Sequence, residues 1–223
     1  MGVRVIDVHQ SVYAANDELA KDTRAQLKKD KTFMVNLMAS PGAGKTTTLL
    51  RTIEELKGTY QIGIMEADIA ATVDAERLQA AGVDSIQVHT GGECAMDAEM
   101  TRQAMMEFDT AQYDLLFLEN VGNLVCPAEF DTGATKNAMI LSVPEGDDKP
   151  LKYPLMFAVC DVVLINKCDA LPVFQEFDKE AVEQRIKELN PNAEIFFVSA
   201  KTGEGFDQWI NWVRTQVAEY RGV

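Results

Sequence analysis

The chain has 223 residues, 47% of them hydrophobic and 25% charged, and 21 basic against 35 acidic residues give a formal charge of −14. That length suits one α/β domain with a sizeable core. The acidic balance argues against nucleic-acid partners and against anionic membranes, both of which demand Lys and Arg. No apolar run approaches the roughly 20 residues of a membrane span, and the N-terminus shows no secretory apolar core. The cytoplasm is therefore the expected compartment. Cysteines stand at 94, 126, 160 and 168 without a CxxC pair. In a reducing compartment they are expected as thiols or metal ligands rather than disulfides.

Residues 5–29 read as an amphipathic, mostly polar helical arm, with Val12, Leu19 and Leu27 on its apolar side. Strands and helices then alternate. Strands are predicted at Phe33–Met38, Tyr60–Glu66, Ser85–His89, Tyr113–Glu119, Ala138–Val143, Val162–Ile165 and Ile195–Val198, with helices at Thr46–Leu56 and near 72–81, 94–108, 179–189 and 205–220. Several strands are continuous apolar runs, as in a sheet covered on both faces. The alternation predicts an α/β fold, a mostly parallel sheet of about seven strands with helices on both faces. The arm takes residues 1–30 and the sheet domain 31–223. Ligands of such sheets bind beyond the carboxyl ends of the strands.

The first strand runs into Ser40-Pro41-Gly42-Ala43-Gly44-Lys45-Thr46-Thr47 and a helix. Gly42 and Gly44 let backbone N–H groups turn towards an anion, and the helix start adds its positive dipole end. Lys45 can reach β- and γ-phosphates, and the Thr46 hydroxyl can ligate Mg²⁺. The strict phosphate-loop pattern has glycine where this chain has Ala39, which is acceptable if φ there is negative.

A later strand ends in Asn166-Lys167-Cys168-Asp169. Guanine offers N1–H and its 2-amino group as adjacent donors, and one carboxylate, Asp169, can accept both. Against adenine that carboxylate would go unpaired, a strong basis for selectivity. The Lys167 stem can cover the base, and Asn166 can tie the motif to the phosphate loop. The next strand ends in Ser199-Ala200-Lys201, whose backbone N–H groups are candidates for guanine O6. GTP, rather than ATP, is the expected nucleotide.

Glu119 ends the strand that precedes Asn120-Val121-Gly122-Asn123. Its carboxylate is a candidate Mg²⁺ ligand, directly or through water, and the Gly122 N–H a candidate contact for the γ-phosphate. Asp68, at another strand end, is a second candidate for Mg²⁺ or the attacking water, and Asp74 a weaker third. The expected catalytic set is Lys45, Asp68, Glu119 and Gly122, with Mg²⁺ on Thr46, Asp68 and Glu119. No arginine or glutamine is placed for catalysis, so intrinsic hydrolysis is expected to be slow, below roughly 1 s⁻¹. Leu171, Val173 and Phe174 follow the base-reading motif closely, either as a surface for a partner or as a cap on the local core.

At these residues the chain resembles the HypB family, GTPases that help insert nickel into [NiFe] hydrogenases, within the SIMIBI class of P-loop proteins. The resemblance covers nearly the whole chain. It rests on Asn16-Asp17, Asn36-Leu37-Met38 with the phosphate loop, Asp74-Ala75-Glu76-Arg77, Thr90-Gly91, Glu93-Cys94, Asp97-Ala98, Glu119 to Pro127 with Phe130-Asp131, and Glu145-Gly146-Asp147-Asp148 with Lys152 and Pro154. It implies a homodimer formed on GTP binding, a HypA-like maturation partner, a hydrogenase precursor as recipient, and a nickel or zinc site shared across the dimer. The similar UreG type carries a Cys-Pro-His motif that is absent here.

In the family the metal ligands are a Cys-His pair after T-G-x-E and the Cys before Pro. This chain keeps Cys94 and Cys126 but has Ala95 where the histidine stands. One chain then offers two thiolates, and two chains a Cys₄ set suited to Zn²⁺. Met96 is expected to pack rather than ligate, His89 to be structural, and Cys160 and Cys168 to be core residues. The alternative is a GTP-switched regulatory scaffold that binds no metal.

Overall fold

The computed structural model describes residues 8–67 and 81–222, with the side chains of 8–12 outside the description. Asp68, Asp74 and nearly all of the helix expected near 72–81 lie outside the described residues. Helix α1 spans Val8–Asp30, β1 Phe33–Ala39, α2 Lys45–Leu56, β2 Ile62–Glu66, β3 Asp84–Gln87, α3 Ala98–Phe108 and β4 Leu115–Glu119. Then come α4 Cys126–Glu129, β5 Lys136–Ser142, α5 Lys149–Lys152, α6 Pro154–Ala158, β6 Val162–Asn166, α7 Lys179–Leu189, β7 Glu194–Phe197 and α8 Phe206–Arg221.

The strands form one sheet in the order β3-β2-β4-β1-β5-β6-β7, and every pairing is parallel. Strand β1 shows why the sheet is covered on both faces. Phe33, Val35 and Leu37 point into a core shared with Leu49 and Ile53 of α2 and with Trp209 and Val213 of α8. Met34 points the other way, to Leu27 of α1 and to Ala104 and Met105 of α3. Met38 joins Met156 and Phe157 of α6 and Val182 and Ile186 of α7. The period of two along an entirely buried strand thus feeds both layers.

Strand ends differ from the sequence expectation by one or two residues, and two differences are larger. Helix α3 does not start at residue 94, because Asp97 caps it by accepting from the Met100 N–H at 2.8 Å. Residues before Asp97 stay in a turn, and that turn carries Cys94. The short helices α4, α5 and α6 each have proline in the first turn. Proline favours that position, but four or five residues are too few for a helical period to show. The arm α1 buries Ala20, Thr23 and Leu27. Arg24 forks onto the Asp131 carboxylate, with one contact of 2.8 Å.

Candidate nucleotide site

The strands that carry the motifs lie side by side. In the order β4-β1-β5-β6-β7, the ends of β4, β1, β6 and β7 present Glu119, the phosphate loop, the base-reading motif and Ser199 along one rim. Ala39 is the last residue of β1, and it is absent from the non-glycine residues with positive φ. Its side chain is therefore tolerated where the strict motif has glycine. Gly44 is not replaceable in this way. Its φ is 99°, and a Cβ on it would stand 2.4 Å from Asn166 Nδ2.

That closeness joins the two halves of the site. Asn166 Nδ2 donates to the Ala43 carbonyl at 2.9 Å, and Lys167 Nζ donates to the Gly42 carbonyl at 2.6 Å. Lys167 itself has φ 60°. A left-handed lysine is uncommon and persists only where its surroundings hold it. Asn166 Oδ1 accepts from the Ala200 N–H at 3.1 Å, and the Ser199 N–H donates to Glu204 O at 2.9 Å. The amides of Ser199 and Ala200 thus have partners inside the chain, and Lys201 follows them at the exposed tip.

At the phosphate end, the Thr46 hydroxyl donates to the Glu119 carboxylate at 3.0 Å, and Lys45 Nζ stands 3.8 Å from it. Glu119 is 3% exposed. A carboxylate, a hydroxyl and an ammonium so grouped are hard donors and a counter-charge, the set that suits Mg²⁺ with phosphate. Gly122 lies against the loop, since a Cβ on it would stand 3.3 Å from Pro41 Cγ.

Cys94 and Cys126, expected as thiols, are joined as a disulfide with Cα atoms 6.0 Å apart. The turn before α3 delivers Cys94 beside the start of α4, within the span that a disulfide bridges. Among the described residues no group of three or more His, Cys, Asp or Glu is placed to hold a metal. Met96 is fully buried in the core beside α3. Cys160 and Cys168 are buried and free, and burial raises both thiols above their ordinary pKa. His89 is exposed rather than packed. Leu171 and Phe174 pack on the core near α7, whereas Val173 is 78% exposed.

Two residues beside the site, Glu145 and Arg51, were not read as such from the sequence, and neither was Asn120, which lies behind it. Glu145 accepts from Ser40 of the phosphate loop and from the Ser142 hydroxyl and N–H; the Ser-x-x-Glu capping box was the available signal. Arg51 of α2 donates to the Ala200 carbonyl at 2.7 Å and to the Lys201 carbonyl at 3.3 Å. Nothing local in the sequence marks Met96 and Asn36 as the partners of Asn120.

Similarity to known proteins bears on the family and the fold. Residues 33–197 match the family model described as CobW/HypB/UreG, nucleotide-binding domain. The hydrogenase maturation factor HypB of Escherichia coli strain K12 is 45% identical over 213 residues, which cover 96% of this chain and 73% of that protein. The crystal structure of HypB from Archaeoglobus fulgidus superposes with a TM-score of 0.85 at 38% identity, covering 92% of this chain and 99% of that one. HypB from Helicobacter pylori, solved in complex with nickel, gives a TM-score of 0.84 at 37% identity, covering 92% and 96%. A parallel seven-stranded sheet, a phosphate loop at its centre and these matches together show that the chain belongs to the HypB family of hydrogenase maturation factors.

Proposed function

We propose that the chain binds and slowly hydrolyses GTP and, as a homodimer, handles nickel during [NiFe] hydrogenase maturation. The observation that carries the nucleotide reading is the direct contact between the base-reading strand and the phosphate loop, Asn166 to Ala43 and Lys167 to Gly42. Phosphates lie along Gly42, Ala43, Gly44, Lys45, Thr46 and Thr47, with Lys45 supplying the charge. Guanine is read by Asp169, flanked by Lys167 and by the Ser199-Ala200-Lys201 loop. Since two of that loop's amides have partners within the chain, Lys201 is the residue left to meet O6. Residues 31–223 form the nucleotide-binding unit and α1 its arm.

Mg²⁺ would be held by Thr46 and Glu119, with Asp68 as a further ligand, and would neutralise the phosphate oxygens. Lys45 then orients the terminal phosphate, and the Gly122 N–H meets it at the switch segment.

Nickel enters as cargo. Reduced, Cys94 and Cys126 offer two soft thiolates per chain, and a second copy completes a four-thiolate set without the histidine that Ala95 displaces. A HypA-like partner and the hydrogenase precursor are the other expected contacts. Equilibrium dialysis of the reduced protein with nickel and zinc, with and without a non-hydrolysable GTP analogue, tests this. Wild type is expected to bind metal that Cys94→Ala plus Cys126→Ala does not. Equal binding by the two would favour a GTP-switched scaffold without metal.

A further inference from the structure

We propose that Asn120 is the positioning residue that makes the state of the nucleotide felt at the cysteine pair; this rests on the guanine-nucleotide reading above. Asn120 is fully buried at the end of the strand that carries Glu119. Its N–H donates to the Leu37 carbonyl at 3.0 Å, on the strand that feeds the phosphate loop. Its Nδ2 donates to Asn36 Oδ1 at 3.1 Å, and Asn36 Nδ2 donates on to Asn137 Oδ1 at 3.0 Å. The carboxamide is thus oriented by a chain of amides crossing β4, β1 and β5. Its remaining oxygen, Oδ1, accepts from the Val121 N–H at 2.9 Å and from the Met96 N–H at 3.0 Å.

Met96 lies two residues after Cys94, and Val121 starts the segment that runs through Gly122 to Cys126. One oxygen atom therefore holds both cysteine-bearing segments. Asn16 repeats the arrangement from outside: its Oδ1 accepts from the Ala98 N–H at 2.9 Å, and its Nδ2 donates to the Asp131 carbonyl at 2.9 Å.

The physics makes the link obligatory. Met96 is completely buried, so its N–H has no water to turn to if Asn120 moves away. An unpaired buried N–H is expensive. When the segment 121–123 shifts against Pro41 in response to the terminal phosphate, the turn carrying Cys94 must follow or lose that bond. Cys94 is exposed, so its surroundings can be probed directly.

The test uses the reduced full chain and needs no metal. GTP-analogue binding to wild type is measured first with a fluorescent nucleotide; failure there would reject the nucleotide reading itself. Cys94 and Cys126 are then alkylated with iodoacetamide in the GDP and GTP-analogue states, and the rates are read by peptide mass spectrometry. A rate ratio between the two states of about fivefold or more at Cys94 is expected in wild type, the low end of allosteric coupling. Asn120→Ala is expected to bring the ratio close to one while still binding the analogue. A ratio that persists in Asn120→Ala, or is absent in wild type that binds nucleotide, overturns the proposal. Should Asn120→Ala fail to fold, hydrogen exchange at the Met96 amide of wild type decides. Protection that changes between the two nucleotide states supports the link, and identical protection refutes it.

Discussion

On the proposed reading, recognition at Asp169 rests on one carboxylate facing two guanine donors. Asp169→Asn replaces an acceptor pair by one acceptor and one donor, so affinity for GTP should fall about 10–100-fold, the worth of a charge-assisted hydrogen bond. The same variant should gain affinity for xanthosine triphosphate, whose 2-oxo group accepts where guanine donates. Competition against a fluorescent nucleotide measures both, and an unchanged preference would remove Asp169 from the reading. Gly44→Ala meets two obstacles at once, φ of 99° and Asn166 Nδ2 at 2.4 Å from the new methyl. Nucleotide binding should be lost in a calorimetric titration, and a lower melting temperature should accompany the loss. Glu119→Gln keeps the shape and drops the charge beside Thr46. Single-turnover hydrolysis should slow by about 10²-fold, with GTP binding much less affected. The motif residues were legible because each is a short local word: Gly-x-Gly-Lys-Thr for an anion, Asn-Lys-x-Asp for a base. Asn120 was not, because its chemistry depends on Met96 and Asn36, 24 and 84 residues away.

Among the elements, α1 shows how an arm can be polar and still be fixed. It is clasped at one point by the Arg24–Asp131 fork and at another by Lys28, whose Nζ donates to the Tyr220 carbonyl at 2.8 Å and lies 4.3 Å from that ring. Burial raises the Asp131 carboxyl, but the Arg24 fork and the Gly133 N–H reverse it, so it sits below its ordinary pKa. A depressed carboxyl contributes stability above its unfolded value and loses it as pH falls through the folded one. Arg24→Ala should therefore cost about 1 kcal/mol near neutrality, the fork being partly exposed, and lower the melting temperature by about 2–4 °C. The difference from wild type should stay full above about pH 5 and shrink below about pH 4. A pH-independent difference in thermal melts would show that lost packing, not the ion pair, is responsible. The long, apolar strands were readable from their composition. The turn at 94–97 and the helices α4 to α6 were not, since a cap and three prolines set them rather than any periodicity.

For the whole molecule, Val125 next to Cys126 in sequence is 48% exposed, and Leu151 of α5 and Leu155 of α6 are 64% and 49% exposed, with α6 packed against both α4 and α5. Exposed apolar side chains on these elements suit a face that a second copy covers. Light scattering of the reduced chain should show a monomer with GDP and a doubled mass with a GTP analogue, and Leu151→Glu should hold it at the monomer mass while nucleotide still binds. A monomer mass for wild type under every condition would leave the four-thiolate site without its second half. No described helix is long and apolar enough to cross a membrane.

The hydrogen bond from Asn166 to the Ala43 carbonyl has a last consequence. On the proposed reading it makes the gap between base pocket and phosphate cradle a fixed length, set by the protein and not negotiated with the ligand. Guanosine and inorganic triphosphate, offered as separate molecules, should each bind feebly and together fall far short of GTP, because only the intact nucleotide arrives with its two ends already at that spacing.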